Sequence, residues 1–120
     1  MRIILIKRFA RWARKEGIHQ ATLQEAVAEM ERGLIDADLG GGVYKKRVSI
    51  AGKGKRGGTR TLVAYQLKAR CFFVEGFSKS EKANINKDEL VAIKEFAKEL
   101  FSYSNSKIDQ LIEIGEMQEI

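Results

Sequence analysis

Proline is absent from the chain, and cysteine and histidine occur once each. No functional claim follows from the missing proline. A single cysteine excludes an intrachain disulfide, and one cysteine with one histidine cannot assemble a Cys/His zinc site within one chain. Neither residue has a neighbour that suggests a Ser-His-Asp or Cys-His arrangement. Cys71 lies in Cys71-Phe72-Phe73-Val74 and reads as a small buried hydrophobe rather than a reactive thiol. His19 falls in an interhelix loop, where nothing singles it out as a general base. Long apolar runs are also missing. Crossing a bilayer takes roughly 20 residues and a signal-peptide core about 7–15, and Ile3-Ile4-Leu5-Ile6 meets neither requirement. The expectation is a cytoplasmic protein with no membrane contact, no cofactor and no metal.

The most telling absence is of negative charge. No acid lies between Asp38 and Glu75, yet that stretch carries Lys45, Lys46, Arg47, Lys53, Lys55, Arg56, Arg60, Lys68 and Arg70. Its centre is Gly52-Lys53-Gly54-Lys55-Arg56-Gly57-Gly58-Thr59-Arg60. The whole chain has 120 residues and a net charge of +6. Such segregation predicts a face for a polyanion. The 44% of hydrophobic residues supports one real core, and the length suits one domain.

Periodicity gives the order of elements. Residues 1–6 read as a strand. Phe9, Trp12 and Ala13 then repeat at helical spacing, with Arg8, Arg11, Arg14 and Lys15 mostly on the other side, until Gly17 stops the helix. Phe9 and Trp12 pack on a sheet; the basic face meets solvent or a partner. Thr22-Leu23-Gln24-Glu25 has the form of a capping box, followed by the apolar stripe Leu23, Ala26, Val27 and Met30, with Gly33 as terminator. Residues 34–42 read as a linker in which Asp36 and Asp38 form turns. Residues 43–50 form a strand with Val43, Lys45, Arg47 and Ser49 on one face and Tyr44, Lys46, Val48 and Ile50 on the other.

After the basic loop, residues 59–66 and 71–77 form two more strands, so the strands make an antiparallel meander that the first strand can join at an edge. Asn86-Lys87-Asp88-Glu89 is a second capping box. It leads into the stripe Leu90, Ile93, Ala97 and Leu100, widened by Phe96 and Phe101. Residues 102–120 are an acidic extension in which Ile108, Leu111 and Ile112 repeat like one short helix. It packs on the domain, binds a partner, or frays. The fold class is α+β, a small twisted antiparallel sheet flanked by helices.

Two short motifs fail on inspection. Gly52 to Thr59 lacks the Lys before Ser/Thr of a phosphate-binding P-loop, and no helix follows it. Gly54-Lys55-Arg56-Gly57 fits the GXXG loop of KH domains, but that loop joins helices and this one joins strands. Backbone amides with Lys and Arg heads still suit phosphates. Tyr44, Tyr65 and Phe77 are aromatics that could stack on bases or pack the sheet.

Such a surface can cleave RNA without histidine or carboxylate. The substrate 2′-OH is the nucleophile, so the protein must accept its proton, stabilise the phosphorane and protonate the leaving 5′-oxygen. Crowded cations favour a neutral Lys that can act as base. Arg stays charged and holds the developing negative charge.

Several runs together resemble the RelE/HigB-like toxins of bacterial type II toxin–antitoxin systems. They are Phe9-Ala10-Arg11-Trp12-Ala13, Leu39-Gly40-Gly41-Gly42-Val43-Tyr44-Lys45-Lys46-Arg47, Gly52 through Thr61, and Phe77-Ser78-Lys79-Ser80-Glu81-Lys82-Ala83-Asn84-Ile85. The resemblance covers residues 1–101, which it marks as a RelE/HigB-like toxin domain with a RelE/ParE-like fold, and leaves 102–120 as an acidic extension. It implies an mRNA endonuclease, ribosome-dependent or free, held in check by a cognate antitoxin of helix-turn-helix type. It implies catalytic roles for Lys53, Lys55, Arg60 and, at the end of the last strand, Lys79 or Lys82. Arg56 is then a phosphate contact, and Lys45, Arg47, Lys82 and Tyr65 join it as RNA-binding residues. The general acid stays unassigned, with Tyr103 a distant candidate. Related ParE-like toxins inhibit DNA gyrase, which keeps a second function open beside a non-catalytic binding module.

Overall fold

The structure is a computed structural model that describes residues 1–50, 54–78 and 85–120, and of 50 and 54–58 the backbone alone. The order is β1 (Arg2–Ile6), α1 (Lys7–Lys15), α2 (Gln20–Glu31), β2 (Ala37–Gly40), β3 (Val43–Ile50), β4 (Gly54–Gln66), β5 (Arg70–Ser78), α3 (Lys87–Ser102), α4 (Asn105–Glu113) and β6 (Met117–Glu119). The strands form one twisted sheet in the order β2-β3-β4-β5-β1-β6. Its pairs are antiparallel except β1 with β5, which run parallel in the register Ile3↔Cys71 and Leu5↔Phe73. The first strand thus joins the meander at its β5 edge.

Strand alternation divides the core in two. On one face Leu5, Val48, Val63, Cys71 and Phe73 pack under α1 and α2 with Phe9, Ala13, Leu23, Val27 and Met30. On the other, Ile4, Val43, Leu62, Ala64 and Phe72 pack under α3 and α4 with Ile93, Ala97, Leu100 and Ile108. Phe9 stacks on Phe73 with ring centroids 5.1 Å apart. Trp12 lies over Gly76, where an added Cβ would fall 2.1 Å from the indole Cζ3. Glycine in this strand is a space requirement, because the ring occupies the volume a side chain would need. Cys71 is fully buried, and burial pushes its thiol up, away from thiolate reactivity.

The capping box at Asn86 is present in both directions. Asn86 Oδ1 accepts from the Glu89 amide at 2.8 Å, and Glu89 Oε1 accepts from the Asn86 amide at 3.4 Å. The box expected at Thr22 is not. α2 begins at Gln20 with His19 as N-cap and no side-chain cap bond. Ile18 is buried in the core directly behind Gly17, so the chain is already anchored there, and Gln20 and Ala21 extend the helix backwards.

Two stretches hold more structure than their patterns suggested. β2 lies inside the expected linker and pairs with β3 through Ala37↔Lys45 and Asp38↔Tyr44. Beyond α4, β6 pairs with β1 through Ile4↔Glu119 and Ile6↔Met117. Residues 102–120 therefore pack on the rest of the chain, with Ile108 and Met117 buried in the second core. Gly42 turns β2 into β3 at φ +80, and a Cβ there would meet the Phe101 ring at 2.7 Å. Among the described residues, no helix is long and apolar enough to cross a membrane.

Candidate nucleic-acid interface

The pairing register builds the candidate site row by row on the α3 face. The first row, Val43, Ala64, Phe72 and Ile4, is apolar and fully buried. Two residues further along β3, roughly 7 Å away, Lys45 stands opposite Leu62. Two more bring Arg47 opposite Arg60, with Phe77 beside Arg60 on β5. Within two steps the same face changes from core to cations. Lys45 and Arg60 are half-buried, Arg47 is exposed and Phe77 is buried.

Like charges directly opposite each other on a sheet are destabilising. Part of that cost is offset at Arg47. Its amide donates to Asp36 Oδ2 at 2.6 Å, and its Nε lies 3.6 Å from Asp36 Oδ1. Asp36, read from sequence as a turn residue, thus holds the edge of the basic strand just before β2 begins. Among the described residues, no carboxylate lies within ion-pair distance of Lys45 or Arg60. Arg47 also borders a groove between α2 and β3 lined by Thr22, Glu25, Glu29 and Ser49.

The structure sorts the other predicted residues. Lys53, Lys79 and Lys82 lie outside the described residues, and Lys55 and Arg56 are placed in β4 by backbone only. Tyr65 is not brought to the group. It is 8% exposed on the α1/α2 face, edge-on to Tyr44 at 6.0 Å between ring centroids, and its hydroxyl is buried without a partner among the described residues. Burial pushes the Tyr65 phenol up from its ordinary pKa. Tyr103 is at the C-terminal end of α3, where its hydroxyl donates to Glu99 at 2.8 Å; that bond raises its pKa. His19 is exposed at the start of α2.

Other cations of the acid-free tract turn out to be structural. Lys46 is 4% exposed, and its Nζ lies 2.9 Å from Glu29 Oε1 and donates to the Leu34 carbonyl at 2.9 Å. It pins α2 to β3. Its sequence signal was its place among Tyr44 and Val48 on an apolar face, where a cation needs a buried partner. Arg70 donates to the Tyr103 carbonyl and to Asn105 Oδ1. Arg2 joins it there, donating to Glu119 and Asp109, which hold the guanidinium charged. Among the described residues, no three potential metal-ligating side chains come together.

The fold is a mixed α+β domain whose sheet is cored on both faces, with Lys45, Arg47 and Arg60 placed past the apolar rows of the α3 face. Comparison with known families narrows this further. The chain matches, over residues 1–120, the family model described as the RelE toxin of the RelE/RelB toxin–antitoxin system, and it belongs to that family. It is therefore a toxin-like protein with a cognate antitoxin as the partner its family implies. No curated protein matches it.

Proposed function

We propose that this toxin is an mRNA endonuclease that works on translated message in the ribosome, and that Lys45, Arg47 and Arg60 hold the phosphates around the cleaved bond. The observation that carries this reading is the Arg47↔Arg60 pair on a face that otherwise serves as core. A local rule broken without structural gain is expected at functional sites. Lys53, Lys55 and Lys79 supply the proton acceptor and charge stabilisation, with Arg56 and Lys82 as further phosphate contacts. The 2′-oxygen attacks the adjacent phosphorus as its proton passes to a neutral Lys. Arg60 stabilises the added charge on the phosphorane. The bond to the 5′-oxygen breaks, that oxygen takes a proton, and the products are a 2′,3′-cyclic phosphate and a 5′-hydroxyl. DNA, lacking the 2′-OH, is not cut. A helix-turn-helix antitoxin neutralises the protein by covering this face.

The test is primer extension on cellular mRNA after brief induction, comparing the parent with a folded Arg47→Ala/Arg60→Ala variant and assaying gyrase supercoiling in parallel. New 5′ ends within reading frames, lost in the variant, are expected. Cleavage unchanged in the variant removes these residues from the mechanism. Intact mRNA with inhibited supercoiling replaces the reading with gyrase poisoning.

A further inference from the structure

Helix α1 carries a second concentration of charge, on the opposite side of the sheet. Lys7, Arg8, Arg11, Arg14 and Lys15 are all exposed, and no acid lies within the helix. Lys7/Arg11 and Arg11/Lys15 are four residues apart, and Arg8/Arg11 and Arg11/Arg14 three, so like charges face each other along the surface and oppose helix formation. Arg14 and Lys15 have an ordinary explanation, since cations in a last turn complement the helix dipole. Lys7 and Arg8 do not. They occupy the first turn, where the dipole disfavours positive charge, and no side chain caps that end.

Partners among the described residues do not account for this cost. Lys7 reaches Glu116 only at 3.9 Å and Arg8 reaches Glu75 only at 3.7 Å. Among the described residues, Arg11, Arg14 and Lys15 have no carboxylate within ion-pair distance. The helix survives because Phe9, Ala10 and Ala13 bury its other side.

We propose that the outer face of α1 binds the phosphate backbone of a double-helical nucleic-acid segment, separate from the strand held on the α3 face. Five cations spread over nine residues cover about 12 Å of helix axis. Duplex backbone presents one charge per roughly 1.7 Å of its axis with both strands counted, so the near side of a rigid duplex laid along α1 offers phosphates to several of these cations. A protein partner fits less well: interface cores are built on aromatic and apolar anchors and are depleted in Lys, whereas the exposed side chains of α1 are all cations and its one tryptophan, Trp12, is half-buried against Gly76. A membrane surface fits less well for the same reason, with no exposed apolar side chain on α1 to insert. Because α1 and the Lys45, Arg47 and Arg60 group lie on opposite faces of the sheet, the two surfaces engage different nucleic-acid segments. The inference goes beyond the proposed cleavage and does not require it.

The experiment measures binding of a 2′-O-methyl RNA hairpin, which cannot be cleaved by 2′-OH attack, by the full chain and by Arg11→Gln/Arg14→Gln/Lys15→Gln. Gln retains helix propensity and removes like-charge repulsion, so the variant's Tm should equal or exceed the parent's. The variant neutralises three fewer phosphates. The slope of log K against log salt should therefore become shallower by about 2.7, and affinity should fall roughly tenfold or more at 0.1 M salt. A 2′-O-methyl single strand should bind both proteins equally, while Lys45→Gln/Arg47→Gln should show the reverse pattern. Weakening on RNA and DNA hairpins alike supports a reader of backbone charge, and weakening on RNA alone supports one fitted to the A-form helix. Unchanged hairpin affinity overturns the proposal, as does equal weakening on hairpin and single strand. Binding of the parent to phosphatidylserine-containing vesicles as tight as to the hairpin also overturns it, in favour of a membrane surface. Because neither probe can be cleaved, failure here is distinct from failure of the endonuclease reading.

Discussion

Lys45 and Lys46 are adjacent in sequence and opposite in role. Lys45 stands on the α3 face in the approach to Arg47 and Arg60, with no carboxylate within ion-pair distance among the described residues. Lys46 points through the other face into a buried pair with Glu29. The same contrast separates the two ends of the basic tract. Arg47 and Arg60 face each other across two strands, whereas Arg70 is engaged with Arg2 in the contacts made by the acidic tail. On the proposed reading, cations of one type serve as ligand contacts or as fasteners according to which face and which end of the strand they occupy. A count of charges does not separate these uses.

The largest expected effect comes from the working half of this comparison. Arg47→Ala/Arg60→Ala should lower RNA cleavage by about 100-fold or more, the order expected when donors to a developing negative charge are removed. Thermal stability should hold or rise, because a cross-strand repulsion disappears. A variant that both unfolds and loses activity would make the pair structural and erase the distinction from Lys46.

Lys46→Met tests the other half. Removing Lys46 from this buried ion pair should cost about 3 kcal/mol, because the contact that joins β3 to α2 is lost. Denaturant titration measures that cost, and cleavage per folded molecule should be unchanged. Loss of cleavage without loss of stability would put Lys46 among the working cations.

Gly76→Ala probes the packing that keeps α1 on the sheet. The added methyl overlaps Trp12, so the indole or the strand must move, at a cost of roughly 1–3 kcal/mol. Trp12→Leu in the same background should recover part of it. A wild-type Tm for Gly76→Ala would mean that the ring shifts freely.

The smallest effect concerns Tyr65. Its buried hydroxyl has no partner among the described residues, so Tyr65→Phe should stabilise by about 1 kcal/mol. The sign with pH follows from its raised pKa. The folded state holds the phenolic proton more tightly than the unfolded chain. That contribution is therefore complete below the ordinary phenol pKa and is lost as pH rises through the folded value. The parent should lose stability above about pH 10 more steeply than the Phe variant. If Tyr65→Phe instead weakens RNA binding at neutral pH, the hydroxyl reaches the ligand face and the two-face assignment is wrong.

The strand faces, both helical stripes and the cap at Asn86 were legible in the residues alone, because each depends on a period or a contact within a few positions. Alternation placed Val43, Lys45 and Arg47 together on β3, and the same rule on β4 placed Thr61, Val63 and Tyr65 together. The missing acids between Asp38 and Glu75 marked the basic tract. That Lys46 and Arg70 are taken up in internal contacts was settled only in three dimensions. Glu29 is 17 residues before Lys46 (46 − 29), and Asn105 is 35 after Arg70; no local pattern encodes such distances. The parallel pairing of β1 with β5 and the closing of the far edge by β6 are of the same kind, since three residues of strand acquire their ladder only when a partner arrives from the other end of the chain. A side chain's direction is set by the backbone beside it. Its partner is set by whatever the completed fold brings within reach.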